Sequence, residues 1–206
     1  MLDSSSNSDP DGQAAQNHNR THKDYYTALY QAALAFSYSL DLNEVLQSVV
    51  KSITEAMQVK GCGLRLLDLR TGQLQIVAVY GLSHDYIAKG PVELANSPVD
   101  SEAMCGTPVV IPDIETDTRF QYREAAKREG IVSVLCVPLE VRGEAIGVLR
   151  VYTSEPRTFH EDDIRFLSVL ASLAALAISN ANLYESLKYA YDGVMDVLWG
   201  NSIEIA

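Results

Sequence analysis

The sequence predicts an α+β domain in which helices pack on an antiparallel sheet, and three observations carry that expectation. Apolar residues recur at helical spacing near both ends of the chain. Between them, runs that alternate with a period near two come in pairs joined by short turn-bearing loops, so neighbouring strands pair as hairpins and not through helical crossovers. The hydrophobic content of 47% against 21% charged residues in 206 is enough to bury one core of ordinary size, with terminal extensions to spare.

Residues 1–22 are rich in Ser, Asn, Asp and Gln with almost nothing apolar to bury, which predicts a disordered tail. His18 and His22 stand four residues apart, a metal-ligand spacing, but with little helix support around them they read as solvated side chains. The pattern changes at Asp24. Tyr26, Leu29, Tyr30, Ala33 and Leu34 predict a first helix ending near Ser39. Asp41 is a natural N-cap for a second, with Glu44 three residues on as in a capping box, and Val45, Leu46, Val49, Val50, Ile53 and Met57 give that helix a broad apolar face.

Residues 62–67 and 74–80 read as strands joined by a loop with its turn signal at Gly72. A long irregular stretch, 81–107, follows, and such loops are often functional. Residues 108–111 form a short strand, and 113–130 lead into a short charged helix stopped by Gly130. Residues 131–141 and 144–152 are two β-branched runs across a tight turn at Arg142 and Gly143. Thr158 and Glu161 have capping-box spacing, and Asp162 and Asp163 fall in the first turn of a long helix expected to reach about Lys188. Along it Leu173, Leu176, Asn180, Leu183 and Leu187 step by three and four, the seam of a helix pair, where Asn180 would set the register. Residues 189–206 are apolar but interrupted by Gly193 and Gly200, and read only as a short docking helix or strand.

A formal net charge of −11 repels a phosphate backbone and argues against nucleic acid and anionic membrane surfaces as partners. No run of eighteen apolar residues and no signal-peptide pattern is visible, so the expectation is a cytoplasmic protein with no membrane partner. Cys62, Cys105 and Cys136 are odd in number and widely spaced, which suits a reducing compartment and gives a structural zinc site no support.

Four stretches carry a resemblance. They are LDLNEVL at 40–46; PVVIPDI at 108–114 with DTRF at 117–120; GIVSVLCVPL at 130–139 with RGEAIGVL at 142–149; and FHEDDIRFL at 159–167 with ANLYE at 181–185. In this order and at this spacing they resemble the GAF domain family. The resemblance implies an antiparallel sheet of about six strands with helices on both faces and the N- and C-terminal helices packed together. It places a domain over residues 24–188, between the tail at 1–22 and an extension at 189–206, and implies a homodimer through a helical bundle.

It also implies a pocket roofed by residues 81–107 and 113–122 and holding a small-molecule ligand. The candidate ligand-binding residues are Tyr80, His84, Tyr86, Asp113, Arg119, Phe120, Tyr122 and Cys136. Each has a second reading. Asp113 would accept from a ligand or cap the turn that follows it; Arg119 would meet an anion or pair with Asp117 or Glu115. Phe120 and Tyr122 would stack on a planar ligand, or Phe120 would pack in the core; His84 reads as a solvated loop residue unless it turns inward to haem. The residues name no cofactor. The constellation of cyclic-nucleotide-binding relatives is absent, and Cys105 lacks the adjacent histidine of a bilin site.

The function implied is a non-catalytic sensor or regulatory module that binds a small ligand, or relays a signal through its helices, to a histidine kinase or other signalling partner. Two alternatives stand beside it. One is a cysteine-dependent free methionine sulfoxide reductase using Cys105 or Cys136, although Cys136 has no charged sequence neighbour to activate it. The other is a ligand-free dimerisation scaffold, favoured if the pocket is filled by its own side chains.

Overall fold

The computed structural model describes residues 10–38 and 41–200, with side chains from 23 to 38 and from 41 to 195. The chain enters through α1 (Pro10–Tyr38) and α2 (Leu42–Met57), then forms the hairpin β1 (Gly61–Asp68) and β2 (Gln73–Tyr80). A lid follows, made of α3 (His84–Ile87), the two-residue strand β3 (Val92–Glu93), a 3-10 turn and α4 (Pro98–Met104). Then come β4 (Val109–Ile111), α5 (Arg123–Glu129), the hairpin β5 (Val134–Val141) and β6 (Glu144–Tyr152), and the long α6 (Glu161–Gly200). Every strand pairing is antiparallel, in the sheet order β3-β2-β1-β6-β5-β4. The sequence-predicted fold class holds: an α+β sheet of six strands covered by helices.

Local chemistry explains most boundaries. The Asp41 carboxylate accepts from the amides of Asn43 and Glu44 and starts α2, and Gln58 ends it in the left-handed region at φ 52°. Arg142 and Gly143 both have positive φ, 54° and 84°, the two-residue turn whose twist matches the β5–β6 hairpin. Gly130 closes α5 at φ 72°.

The sheet separates two cores. On its helical face Leu46, Val50 and Ile53 of α2 and Leu167, Ala171, Ala174 and Ile178 of α6 cover Leu64, Leu135, Val137, Leu149 and Val151. Fully buried side chains such as Leu46, Ile53 and Leu167 each contribute about 1.5–3 kcal/mol. On the lid face a second core gathers Leu74, Tyr86, Val99, Ile111, Phe120, Cys136 and Tyr152.

Several expectations need correction. The first helix begins at Pro10 and not near Asp24. Residues 1–9 and the side chains of His18 and His22 lie outside the described residues, as do residues 201–206. Helix α1 also turns a different face inward: Tyr25, Ala28 and Ala32 are buried, whereas Tyr26, Tyr30 and Leu34 of the expected stripe are exposed. A helix with apolar residues on two faces offers two stripes, and the smaller residues are the ones that pack closely. The stretch 81–107 is not irregular; its elements are simply too short for periodicity to reveal. Strand β5 starts at Val134 rather than 131. Helix α6 starts at Glu161, and it is Asp163, not Glu161, that reaches back to the His160 amide at 2.9 Å. The helix passes through Gly193, where an added Cβ would point into open space, and continues to Gly200 in place of a separate docking element.

By length and mean hydropathy Glu161–Met195 would suit a bilayer, although Ser168, Ser172, Ser179 and Asn180 interrupt any run of eighteen apolar residues. Its Phe166, Leu170, Ala174 and Ile178 are nevertheless part of the domain's core.

Candidate functional site

Alternation along the central strands decides what faces the lid. In β1, Leu64 belongs to the helical core, so Arg65 points the other way; in β6, Leu149 and Val151 do, so Arg150 points with Arg65. The two strands are adjacent, with Arg65 opposite Val148 and Gly63 opposite Arg150. Gly147 makes that approach possible, since a Cβ there would stand 2.1 Å from the Arg65 carbonyl oxygen. On the other flank Arg150 pairs in register with Cys136 of β5. Two arginines, each only 5% exposed, therefore lie under the lid.

The lid answers with one carboxylate. Asp100 of α4, fully buried, forms an ion pair with Arg150, accepts from the Ser97 hydroxyl at 2.5 Å and lies 3.9 Å from the Cys136 sulfur. The Arg150 nitrogen that touches Asp100 is not aligned for a hydrogen bond, and its Nε has no acceptor. Arg65 makes one long hydrogen bond, 3.5 Å, to the Leu74 carbonyl. Lys89, after α3, donates to the Tyr86 carbonyl at 3.0 Å and stands 3.8 Å from the Tyr86 ring centre and 5.6 Å from that of Tyr122. Burial, and then the charges of Arg65 and Arg150, bring its amine down to about 7. Tyr152 meets Tyr86 edge to face at 6.0 Å, and Arg150 lies 5.7 Å from the Phe120 ring centre.

Four of the sequence-predicted residues, Tyr86, Phe120, Tyr122 and Cys136, come together at this cluster. Tyr86 and Phe120 are buried, and the Tyr122 hydroxyl donates to the Pro91 carbonyl at 2.6 Å. Gly90 allows that contact: it has φ 125°, and a Cβ there would be 3.0 Å from the Tyr122 oxygen.

The other four lie apart. Tyr80 is 37% exposed on the helical side of the sheet, with the Lys51 amine 5.9 Å from its ring centre. His84 opens α3 and faces solvent. Asp113 accepts from the Glu115 amide at 2.8 Å, which is the turn-capping reading. Arg119 forks onto Asp117 and Glu102, each at 2.7 Å, in an ion pair within the lid. Arg65, Lys89, Asp100, Arg150 and Tyr152 were missing from the sequence expectation. The available signal was an arginine standing alone in each of two apolar strands.

Cys136 is fully buried, and burial pushes its thiol up to about 12, the opposite of what a thiolate nucleophile needs. Cys105 is exposed at the C-terminal end of α4.

The GAF domain profile matches residues 41–178. Over 164 residues the chain is 24% identical to a Nif-specific regulatory protein of Herbaspirillum seropedicae, an alignment spanning 77% of this chain and 30% of that protein. It is 26% identical over 170 residues to the methyl sulfide methyltransferase-associated sensor of Methanosarcina acetivorans, spanning 77% of this chain and 17% of that one. The solved GAF domain of a phosphoenolpyruvate-protein phosphotransferase from Coxiella burnetii superposes with a TM-score of 0.72 at 21% identity, over 80% of this chain and 98% of that one. The chain thus spans less than a third of the length of these two curated relatives.

Proposed function

This chain belongs to the GAF domain family, and we propose that it is a non-catalytic sensor module, with residues 24–188 as the working unit. A small ligand taken up under the lid would alter the packing of α1 against α6, and a helical homodimer would carry that change to a histidine kinase or other signalling partner in the cytoplasm. The regulatory and sensor relatives support signalling as the setting.

The observation that carries the reading is the surface of α6. Leu173, Asn180, Leu187 and Val194 recur at a seven-residue interval, as do Val169, Leu176, Leu183 and Ala190. Of these, Val169, Leu176, Leu183, Leu187 and Val194 are large, apolar and exposed. A heptad of this kind is the sequence of a two-stranded coiled coil, and its natural occupant is the same stripe on a second copy. Asn180 then faces its twin, which favours a parallel, in-register pair. Tyr26, Tyr30, Leu34 and Tyr38 extend the exposed apolar surface on α1.

A joint at the head of α6 supports the relay. The Tyr25 hydroxyl of α1 donates to Asp163, which also pairs with Arg157 at 3.0 Å, and Arg157 in turn donates to the Met57 carbonyl at the end of α2. The Tyr25 ring stacks on Phe166 at 4.0 Å. Burial, then the Asp163 contact, hold the Tyr25 phenol well above its ordinary range, so it remains a donor. Tyr25→Phe keeps the stacking and removes only the donated bond. Because bonds to a charged acceptor contribute about 1.5–3 kcal/mol, hydrogen exchange in α1 is expected to quicken roughly tenfold or more while β1 and β6 stay protected. Unchanged exchange in α1 would remove the joint from the route.

The reductase alternative gains nothing at Cys136, whose thiol burial pushes up to about 12, and would rest on the exposed Cys105. The ligand-free scaffold fits the filled lid core; the unbalanced charge inside that core favours the sensor.

A further inference from the structure

The lid core holds more positive charge than its own residues balance. Arg65 and Arg150 keep their charge at any ordinary pH, and Lys89 adds a third cation beside them. Asp100 answers Arg150. Glu129 is the other acid whose field reaches Lys89, and it is engaged by the Ser83 amide at 3.0 Å and by Lys60 at 3.8 Å. That leaves Arg65 with one long contact to a carbonyl and the Arg150 Nε with no acceptor, both buried. A buried cation without an acceptor is costly, and a guanidinium fork is shaped to receive two oxygens of one planar anion. The rings of Tyr86, Phe120 and Tyr122 border the cluster, with Lys89 over the two tyrosines and Arg150 over Phe120.

We propose that the charged cluster under α3 and α4 takes up a small planar carboxylate, its oxygens accepting from Arg65, Lys89 and Arg150 and its body lying against Tyr86, Phe120 and Tyr122. This rests on the sensor reading above and names the chemistry of its ligand. Lys89 is the group that responds to pH. It is faced by Arg65 of β1, Arg150 of β6, Asp100 of α4 and Glu129 of α5. Since its amine titrates near 7, a carboxylate binds more tightly below that pH, where Lys89 is charged, than above it.

Calorimetric titration of the full chain with benzoate, with its uncharged isostere benzamide and with inorganic phosphate tests this. Saturable benzoate binding is expected, weaker at pH 8 than at pH 6, with no heat from benzamide. Lys89→Met, at a partly exposed lid position that tolerates an apolar side chain, is expected to weaken benzoate roughly tenfold and to abolish the pH dependence. Arg65→Met is expected to weaken it further, and Lys89→Met carries the test if that variant fails to fold. Benzamide binding as tightly as benzoate, phosphate binding in its place, or no binding by any of the three would each overturn the proposal. The sensor reading fails separately. A neutral compound that co-purifies in equal amount with the wild type and with Lys89→Met defeats the carboxylate and leaves the sensor, whereas a monomeric chain that binds benzoate does the reverse.

Discussion

Replacing Leu183 and Leu187 together by aspartate is expected to turn a dimer into a monomer in sedimentation velocity, with the far-ultraviolet circular dichroism of the domain retained. Both side chains lie on the heptad stripe and are 55% and 69% exposed in the isolated chain, so neither is needed to fill its own core. In the pair, four leucines leave water at about 2 kcal/mol each, and the substitution also sets aspartates against one another in the seam. A loss near 8 kcal/mol raises the dissociation constant roughly a millionfold, beyond any working concentration. Asn180→Leu is the useful contrast. It should tighten association while loosening the choice of register and oligomeric state, because the buried amide gives up stability for specificity. A wild-type chain that already sediments as a monomer, or a double variant that remains a dimer, places the interface elsewhere.

The second large effect is expected from Asp100→Ala. Asp100 is the fully buried carboxylate opposite Arg150, and its removal leaves that guanidinium among apolar groups with its counter-charge gone. Breaking a buried pair from one side typically costs about 3–5 kcal/mol. For a chain of this size that corresponds to a fall in Tm of roughly 10 °C, measured by calorimetry or circular dichroism. Asp100→Asn should cost less, since the amide oxygen still accepts from Ser97. The Ala variant leaves the cluster with still more uncompensated positive charge, so benzoate should recover part of the lost stability. A Tm within about 2 °C of wild type would mean that the pair is solvated in practice, and that the charge excess under the lid is not a driving force.

Periodicity accounts for most of what the sequence could convey. The apolar face of α2 and the hairpin at Arg142 and Gly143 are strong local signals, and the structure reproduces them; the stripe along α6 lies on one continuous helix, with Leu176, Leu183 and Leu187 exposed. Helix α1 carries two apolar stripes, Tyr25-Ala28-Ala32 and Tyr26-Tyr30-Leu34, and the larger residues proved to be the outward ones. The lid elements α3, β3 and α4 are two to seven residues long, too short for any period to declare itself.

The site was half legible for a similar reason. Tyr86, Phe120 and Tyr122 belong to the stretches that the family resemblance marked as the pocket's roof, and they meet Cys136 of β5 at the cluster. Asp113 and Arg119 lie in the same stretch, but their side chains are spent on a turn and an ion pair, a choice that sequence order cannot settle. Arg65 and Arg150 stand in strands where an arginine ordinarily marks a solvent face. Here both faces of the sheet are covered, so the alternation that seemed to turn them outward turns them under the lid.

The most direct test of the central claim, that α6 is a parallel and in-register output interface, is pulsed electron paramagnetic resonance on the full chain. Spin labels would be placed at Glu185→Cys and, separately, at Asp192→Cys, with Cys105→Ser removing the exposed native thiol. The two positions are one heptad apart on the outer side of the helix. A parallel pair gives the same narrow inter-label distance at both. Distances that differ between the two sites, as an antiparallel pair requires, or no dipolar modulation at all, would contradict the account.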